Sequence, residues 1–521
     1  MTARRLGAGL AVLAIATPLA ACTSGSGGEP LTTRSSATAA IADYTDRSMR
    51  VGIASLSTSD TLDPAKITTS GGYAIASQLY DTLTVFSKTG AVEPSLATSV
   101  EAGDNAATWT VTLRDDAKWQ DGSPVTADDV LFTLDRIFDK KLPPASSLPF
   151  VDPKRIDKVD DHTLTFHLKY PTSVFAEAFA TPTLSIVPKT FDAAKPIGSG
   201  PFKLGDYTAG NRVTFTANQD YWGDGPHTSG LELISFADAA AEAKALIGGQ
   251  IDVASGIDAT QAKVIHAAGG GLNVQSYATS GTLTWVMNVK QKPFDNPVAR
   301  QALRLAVDRQ QLIDQVYDGY ATIGNDYFSP FDPLYNKDLP QRTPDAVQAK
   351  SMLEKAGFTL PVKVELVGAP TTAWSNAANE LLVQQGKAAG FDITFKKVDE
   401  STFYGDGYGT YPLSLSYWGF LGIFNQAAFT VTKDAPYNSS HWQDDEFNTA
   451  YDKAVRSVDP AEQKTLVAQM QKIEYDRGAY LVPAFLDSIS AYAADVSGYS
   501  TWPNTDGGNG YHFAGLGFIA K

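Results

Sequence analysis

Trp119-Gln120-Asp121-Gly122-Ser123-Pro124-Val125-Thr126-Ala127-Asp128-Asp129-Val130 is the stretch from which the fold is read. Asp121-Gly122 is a turn pair, since glycine takes the positive φ that such turns need. Thr126 is placed to cap a helix. Asp128 and Asp129 then fall in its first turn, where carboxylates meet the positive end of the helix dipole. Val130, Leu131, Leu134 and Ile137 make the buried stripe of that helix. Just upstream, Trp109, Val111 and Leu113 alternate with Thr110, Thr112 and Arg114, the pattern of a half-buried strand. Downstream, Leu164, Phe166 and Leu168 alternate with Thr163, Thr165 and His167.

The same mixture continues in both directions. Val51, Ile53 and Leu56 predict a first strand, and Leu62-Asp63-Pro64 a turn. Ile75, Leu79 and Leu83 predict a helix over 73–83. Asn296-Pro297 opens a helix by cap and first-turn proline, running through Val298, Ala302, Leu305 and Leu312. A short helix over 350–356 ends at Gly357. Val362, Val364 and Leu366 read as a strand, followed by a helix over 376–389 that Gly390 stops. Segments 447–456 and 461–476 are amphipathic helices. Strands and helices alternate, so the class is α/β or α+β. No internal repeat of about 20 to 50 residues is seen.

The chain has 521 residues, more than one ordinary core, so two or three domains are expected. Its net charge of −15 argues against nucleic acid or an anionic membrane surface as the main partner. The single cysteine, Cys22, ends Leu19-Ala20-Ala21-Cys22. Before it come Arg4 and Arg5, then an apolar run over 6–16, then Pro18. The run is too short to cross a bilayer core of about 30 Å, and the pattern is that of a secretory leader over 1–21. A cysteine directly after the small cleavage-site residues resembles the bacterial lipobox, which implies acylation of Cys22 and a mature chain that starts on lipid. One acyl chain alone holds weakly, whereas two anchor firmly. Residues 22–47, rich in Thr, Ser, Gly and Ala, read as a flexible tether.

The usual catalytic constellations are missing. Gly198-Ser199-Gly200 lacks the leading glycine of a nucleophile elbow, since Ile197 stands there. Gly386-Lys387 is no phosphate loop, and Gly405-Asp406-Gly407-Tyr408-Gly409 has the wrong spacing for a dinucleotide fingerprint. The histidines at 162, 167, 227, 266, 441 and 512 include no pair at metal-binding spacing, and the mature chain has no further thiol. No catalytic residue, metal or cofactor is expected. A glycosidase-like carboxylate pair stays open as an alternative, though nothing marks two acids as special.

Several segments together resemble the family 5 solute-binding proteins, the receptors of dipeptide, oligopeptide and nickel ABC importers. The opening stretch is similar to the family signature, after the Trp109-x-x-x-Leu113-Arg114 strand and the lead-in Pro94-Ser95-Leu96-Ala97. Ile197-Gly198-Ser199-Gly200-Pro201-Phe202, Asn218-Gln219-Asp220-Tyr221-Trp222-Gly223 and Leu246-x-x-Gly249-x-Ile251-Asp252 follow in order. Asn288, Pro293-Phe294-Asp295-Asn296, Arg300-Gln301-Ala302-Leu303 and Asp308-Arg309 complete a colinear series over about 50–490. The resemblance implies a two-lobed periplasmic-binding-protein-like α/β fold (type II, cluster C) with an extra domain. Lobe I would be discontinuous over 48–84, 200–280 and 486–521, the extra domain 85–199, and lobe II 281–485. It implies a lipid-anchored extracytoplasmic receptor on the bacterial cell membrane, a monomer and not an enzyme. Such a receptor closes on a small solute or peptide and hands it to an ABC permease with its ATPase. A secreted hydrolase, or an extracellular sensor or chaperone on the same fold, is the alternative.

Ligand contacts carry over by segment. Thr69, Ser70, Gly71, Gly72 and Tyr73 match the loop after the first strand, although a plain turn and helix cap fits them equally. Thr371, Thr372 and Trp374 lie after the strand through Val364. Tyr417 and Trp418 match the family's cleft tryptophan segment, and Asn438 and Trp442 a loop that faces the cleft. Each of these aromatics fits a core role as well. Peptide-binding members carry an aspartate just after that tryptophan, which pairs with the peptide's amino group. Here no acid occurs from Tyr411 to Thr432. A buried ammonium without its counter-charge costs several kcal/mol. The segment therefore points to a less charged solute, such as a sugar or an aromatic compound, unless Asp399 or Asp434 substitutes.

Overall fold

The computed structural model describes residue 41 and residues 44–520, apart from 54, 55, 59, 68, 373, 406, 420, 434, 501 and 503–507. The leader, Cys22 and nearly all of the expected tether lie outside the described residues. Of the stretch 22–47, the end from Thr45 onward belongs to the first strand, Thr45–Ile53.

Three sheets organise the chain. The first contains Thr45–Ile53 at its centre, parallel to Thr228–Ser235 on one side and Val253–Ala254 on the other. Strands Arg212–Ala217 and Phe202–Thr208 extend it antiparallel beyond Thr228–Ser235. On the far side, Ala484–Tyr492 and Asn273–Ala278 complete it. Met49, Val51, Phe202, Leu231 and Leu233 are buried beneath it against Ile75 and Leu79. The second sheet, called the meander below although its last two strands are swapped relative to chain order, is antiparallel in the order Ala97–Ala102, Thr108–Leu113, Thr163–His167, Ile156–Lys158. Its alternation is the one read from sequence, with Trp109, Val111, Leu164 and Phe166 turned inward onto Val130 and Leu134. The third sheet runs in the order Phe391–Lys397, Val362–Gly368, Leu413–Trp418, Thr282–Met287, Tyr480–Leu481. The first three of these are parallel, and Leu283, Trp285, Leu366 and Leu382 pack below them.

The chain crosses between the first and third sheets twice, at 279–281 and at 482–483. The crossings lie side by side. Leu486 N donates to Gly281 O (2.7 Å), Thr279 Oγ1 to Leu486 O (2.8 Å) and Thr282 Oγ1 to Ala484 O (2.7 Å). Position 486, read as the return to lobe I, falls inside the strand Ala484–Tyr492. The start of that strand also pairs with Ala321–Ile323.

The signature stretch folds as its residues dictate. Gly122 takes φ +88 in the turn, and Thr126 and Asp129 form a capping box on the helix Ala127–Asp139. Two helix readings are corrected. The first helix is Ser70–Leu79, and Leu83 lies beyond it. Tyr80 is already extended, and Gly200 N takes the Leu79 carbonyl that a further turn would have used. The segment from Pro297 is two helices, Pro297–Ala306 and Arg309–Gln315. Asp308 starts the second by accepting from Gln311 N.

Candidate functional site

Strands Val362–Gly368 and Leu413–Trp418 are adjacent and parallel, so their carboxyl ends share one edge. From that edge two loops lead into the helices Ser375–Ala388 and Ile423–Thr430. Ligands of open α/β sheets bind at such edges. The expected residues of this half therefore converge by topology, but their side chains differ in what they face.

Trp418 and Tyr417 are consecutive on a strand and point to opposite faces. Tyr417 packs on the Leu283–Trp285 core. Trp418 stands edge-on to Phe328 (6.4 Å) and Tyr437 (6.3 Å), and its buried Nε1 has no acceptor among the described residues. Thr371 and Thr372 gather on Ser375 Oγ, whose oxygen accepts from Thr372 N (3.0 Å), and so shape the helix start. Trp374 packs edge-on to Tyr317 (5.6 Å) beside the core. Trp442 is 4% exposed and packs against Phe447, so it is a core residue rather than a cleft surface. Asn438 closes its own turn, donating to Trp442 O and accepting from Ser440 Oγ (both 2.8 Å).

The 69–73 group sits in the other half. Thr69 caps the helix Ser70–Leu79 by accepting from Gly72 N, and its hydroxyl donates to Asp60. Gly71 and Gly72 are buried, and a Cβ at 72 would press on Ile67 (3.0 Å), so packing explains that glycine locally. Ser70 is exposed. Burial raises the pKa of the Tyr73 hydroxyl, which hydrogen-bonds Thr181.

The structure also brings in acids that sequence distance hides. Helix Phe175–Ala178, on the meander side, is held by Phe175 stacked on Trp109 (5.1 Å) and edge-on to Phe166 (4.9 Å). It carries Glu177 across to the start of helix Ile423–Thr430. There Glu177 Oε1 accepts from Asn425 Nδ2 (2.8 Å), and a Cβ at Gly422 would collide with it. Asp332 reaches the same helix start, with Oδ2 accepting from Ile423 N (2.9 Å) and Oδ1 from Leu334 N (2.8 Å). Burial first, and then the neighbouring Asp332, push the Glu177 carboxyl up to about 8, against the Asn425 hydrogen bond. Burial also raises Asp332, against its two backbone donors. Both acids are half-buried. Gln426 is 3% exposed, and its Nε2 has no acceptor among the described residues.

Glu177 and Asp332 thus bring carboxyl groups to the start of helix Ile423–Thr430, a segment with no acid of its own from 411 to 432. Asp399 is exposed and accepts from Thr402 N and Oγ1, and Asp434 lies outside the described residues. One sequence signal marked Glu177, a lone acid within Val174-Phe175-Ala176-Glu177-Ala178-Phe179-Ala180. Among the described residues no group of three or more His, Cys, Asp or Glu could hold a metal, and no helix is long and apolar enough to cross a membrane.

Comparison with known proteins agrees with this architecture. The Helicobacter pylori periplasmic binding protein DppA, solved with the peptide STSA, superposes with a TM-score of 0.76 at 22% identity. That match covers 92% of this chain and 99% of that one. NikZ of Campylobacter jejuni, solved with Ni(L-His), gives 0.77 at 19% identity, covering 91% and 100%. In sequence, the glutathione-binding protein GsiB of Escherichia coli is 27% identical over 504 residues, 90% of this chain and 95% of GsiB. Di/tripeptide-binding protein 1 of Pseudomonas aeruginosa is 29% identical over 361 residues, 62% of this chain and 66% of the relative. These are binding proteins, and so is this chain, rather than an enzyme. The model of the bacterial extracellular solute-binding proteins, family 5, matches residues 91–469, and the chain belongs to that family.

Proposed function

We propose that this chain is the extracytoplasmic receptor of an ABC-type importer, held to the cell membrane by lipid on Cys22 and closing on a peptide-like solute. Trp418 carries the reading. It stands at the carboxyl edge of the third sheet, with a buried indole N–H that has no acceptor among the described residues. An orphaned donor of this kind costs about 1–3 kcal/mol, a cost that a bound carbonyl or hydroxyl would remove. Segments 48–84, 200–280 and 486–521 form one lobe that carries 85–199 with it, and 281–485 forms the other. Ligand contacts to both favour the closed arrangement. Relatives named for di- and tripeptides and for glutathione support a peptide-like solute. The sequence argument for a less charged solute rested on the missing acid, and Glu177 and Asp332 now stand beside that segment.

A thermal-shift screen of the purified chain against di- and tripeptides, glutathione, saccharides and aromatic acids tests this. A true solute at about 100 times its Kd adds about 2.7 kcal/mol of stability. No stabilisation by any of them would overturn the receptor reading. Cys22→Ala should release the protein from the membrane fraction in the producing cell; retention of the variant there would remove the lipid anchor from the proposal.

A further inference from the structure

We propose that the contact of Glu177 with the start of helix Ile423–Thr430 is a proton-sensitive clasp: the meander closes on the third-sheet side when Glu177 and Asp332 together take up a proton, and loosens when that proton leaves. The inference rests on the two-lobe opening of the receptor reading. It adds a condition that biases the opening whatever the solute is. Segment 173–178 bridges the two sides. Val174 packs against both the meander core and the core around helices Asp445–Ala454 and Pro460–Arg477. Glu177, three residues on, lies against Gly422 and accepts from Asn425 Nδ2 (2.8 Å). Asp332 comes to the same place from the third-sheet side and accepts from Ile423 N (2.9 Å). Two carboxyl groups, one from each side of the divide, thus meet at consecutive residues 422 and 423.

The surroundings offer these acids no counter-charge. Helix Ile423–Thr430 has no charged side chain. Helix Asp445–Ala454 brings the Tyr451 hydroxyl, which burial raises far above the usual tyrosine range, so it stays neutral. Burial, Asp332 and the Asn425 amide act on Glu177, and burial and two backbone donors act on Asp332, with no basic side chain among them. Close carboxylates without a cation repel, and one shared proton removes the repulsion. Burial first and Asp332 second therefore hold the Glu177 proton up to about 8 while the contact exists. Opening returns the group to water and to its ordinary 4.5. The closed arrangement thus binds the proton more tightly than the open one. Its contribution to closure is full below pH 4.5 and is lost as pH rises through about 8. The neighbouring bonds of Ser173 to Val455 O and Gln463 contain no titratable group, so that part of the bridge does not respond to pH.

The experiment measures the opening directly, without solute. Nitroxide labels go on Val159→Cys, beside the meander strand Ile156–Lys158, and on Val347→Cys, in helix Ala346–Lys355 of the third-sheet side; both positions are exposed. The background is the Cys22→Ala chain, so these are its two thiols. Pulsed electron resonance gives the distance distribution at pH 6, 7.5 and 9, with Glu177 present and with Glu177→Gln, which keeps an oxygen for Asn425. With Glu177, the ratio of the longer-distance to the shorter-distance population should rise at least about fivefold from pH 6 to pH 9. In E177Q it should change less than about twofold. The pH series on the Glu177 chain needs no variant at 177 to fold. A distribution that stays the same at all three pH values in that chain would overturn the clasp. So would E177Q opening in parallel with it, which would assign the response to another acid, such as Asp487 beside the crossing at 482–483, raised by burial to about 6. The receptor reading stands or falls separately, on the solute screen.

Discussion

Glu242 shows how a single carboxyl in this protein couples to pH. It is fully buried under the first sheet, in space kept free by Gly52, where a Cβ would lie 2.8 Å from its Cγ. Oε1 accepts from Ser255 N (2.8 Å), while Oε2 has no partner among the described residues. Burial outweighs the backbone donors and raises the group from 4.5 to about 7. The folded state thus holds the proton more tightly than the unfolded chain. The associated stability is full below pH 4.5 and is lost as pH rises through about 7. That difference corresponds to about 3 kcal/mol. Urea unfolding at pH 5 and pH 8 should show the wild type losing more stability at the higher pH than Glu242→Gln, which keeps an oxygen for Ser255 N. Equal losses in the two proteins would refute this. At this scale the sequence was legible only where neighbours in the chain carried the message. Trp418 was a candidate from its segment alone, whereas Glu177 meets Asn425 across 248 positions of chain.

At the scale of elements, the opening stretch is a joint between the meander and the first sheet. Gln120 N donates to Gly198 O (3.0 Å) and Gln120 Nε2 to Phe202 O (2.7 Å), fixing the meander to the first sheet's edge strand. Ser199 Oγ donates to Asp81 Oδ2 (2.8 Å), which also receives Trp222 Nε1 (3.2 Å), while Tyr221 OH donates to Asp81 Oδ1 (3.0 Å). The glycines at 198 and 200 let this strand lie against the end of helix Ser70–Leu79. A Cβ at 198 would run into the Leu79 carbonyl, and one at 200 would lie 2.6 Å from Gln78 O. Gly198→Ala should therefore cost several kcal/mol, at the upper end of single substitutions. Gly122→Asn, in an open turn at φ +88, should cost less than about 1 kcal/mol. Thermal melts of both variants decide it, and equal shifts would refute the joint. Sequence periodicity found these strands and the capped helix because the pattern is local. It missed the early end of helix Ser70–Leu79 and the break at Asp308 because tertiary contacts and a second cap set them. It also read Trp442 as a cleft candidate, since an aromatic residue looks alike in sequence whether it packs on Phe447 or faces a solute.

For the whole molecule, the joint has a mechanical consequence. With Gln120 and Asp81 binding the meander to the first sheet, those two parts are expected to move together. Any opening must then separate them from the third-sheet side about the paired crossings at 279–281 and 482–483. Contacts that span this divide include Glu177 with Asn425 and, further along, Ser173 with the end of helix Asp445–Ala454. Ser173 N donates to Val455 O (2.6 Å), Ser173 Oγ to the same oxygen (3.1 Å), and Gln463 Nε2 to Ser173 Oγ (2.7 Å). A main-chain hydrogen bond between residues 173 and 455 brings their Cα atoms near the range of about 4.4–6.8 Å that a disulfide needs. Cys22 is the only native thiol, so Ser173→Cys with Val455→Cys in a Cys22→Ala chain gives one defined pair. If these contacts form on closure, oxidation after loading should trap the solute, slowing its release at least a hundredfold in stopped-flow exchange. Reduction should restore the wild-type rate. If the pair forms and release is unchanged, the meander moves with the third sheet instead, and Glu177 would remain beside Asn425 whether or not solute is bound.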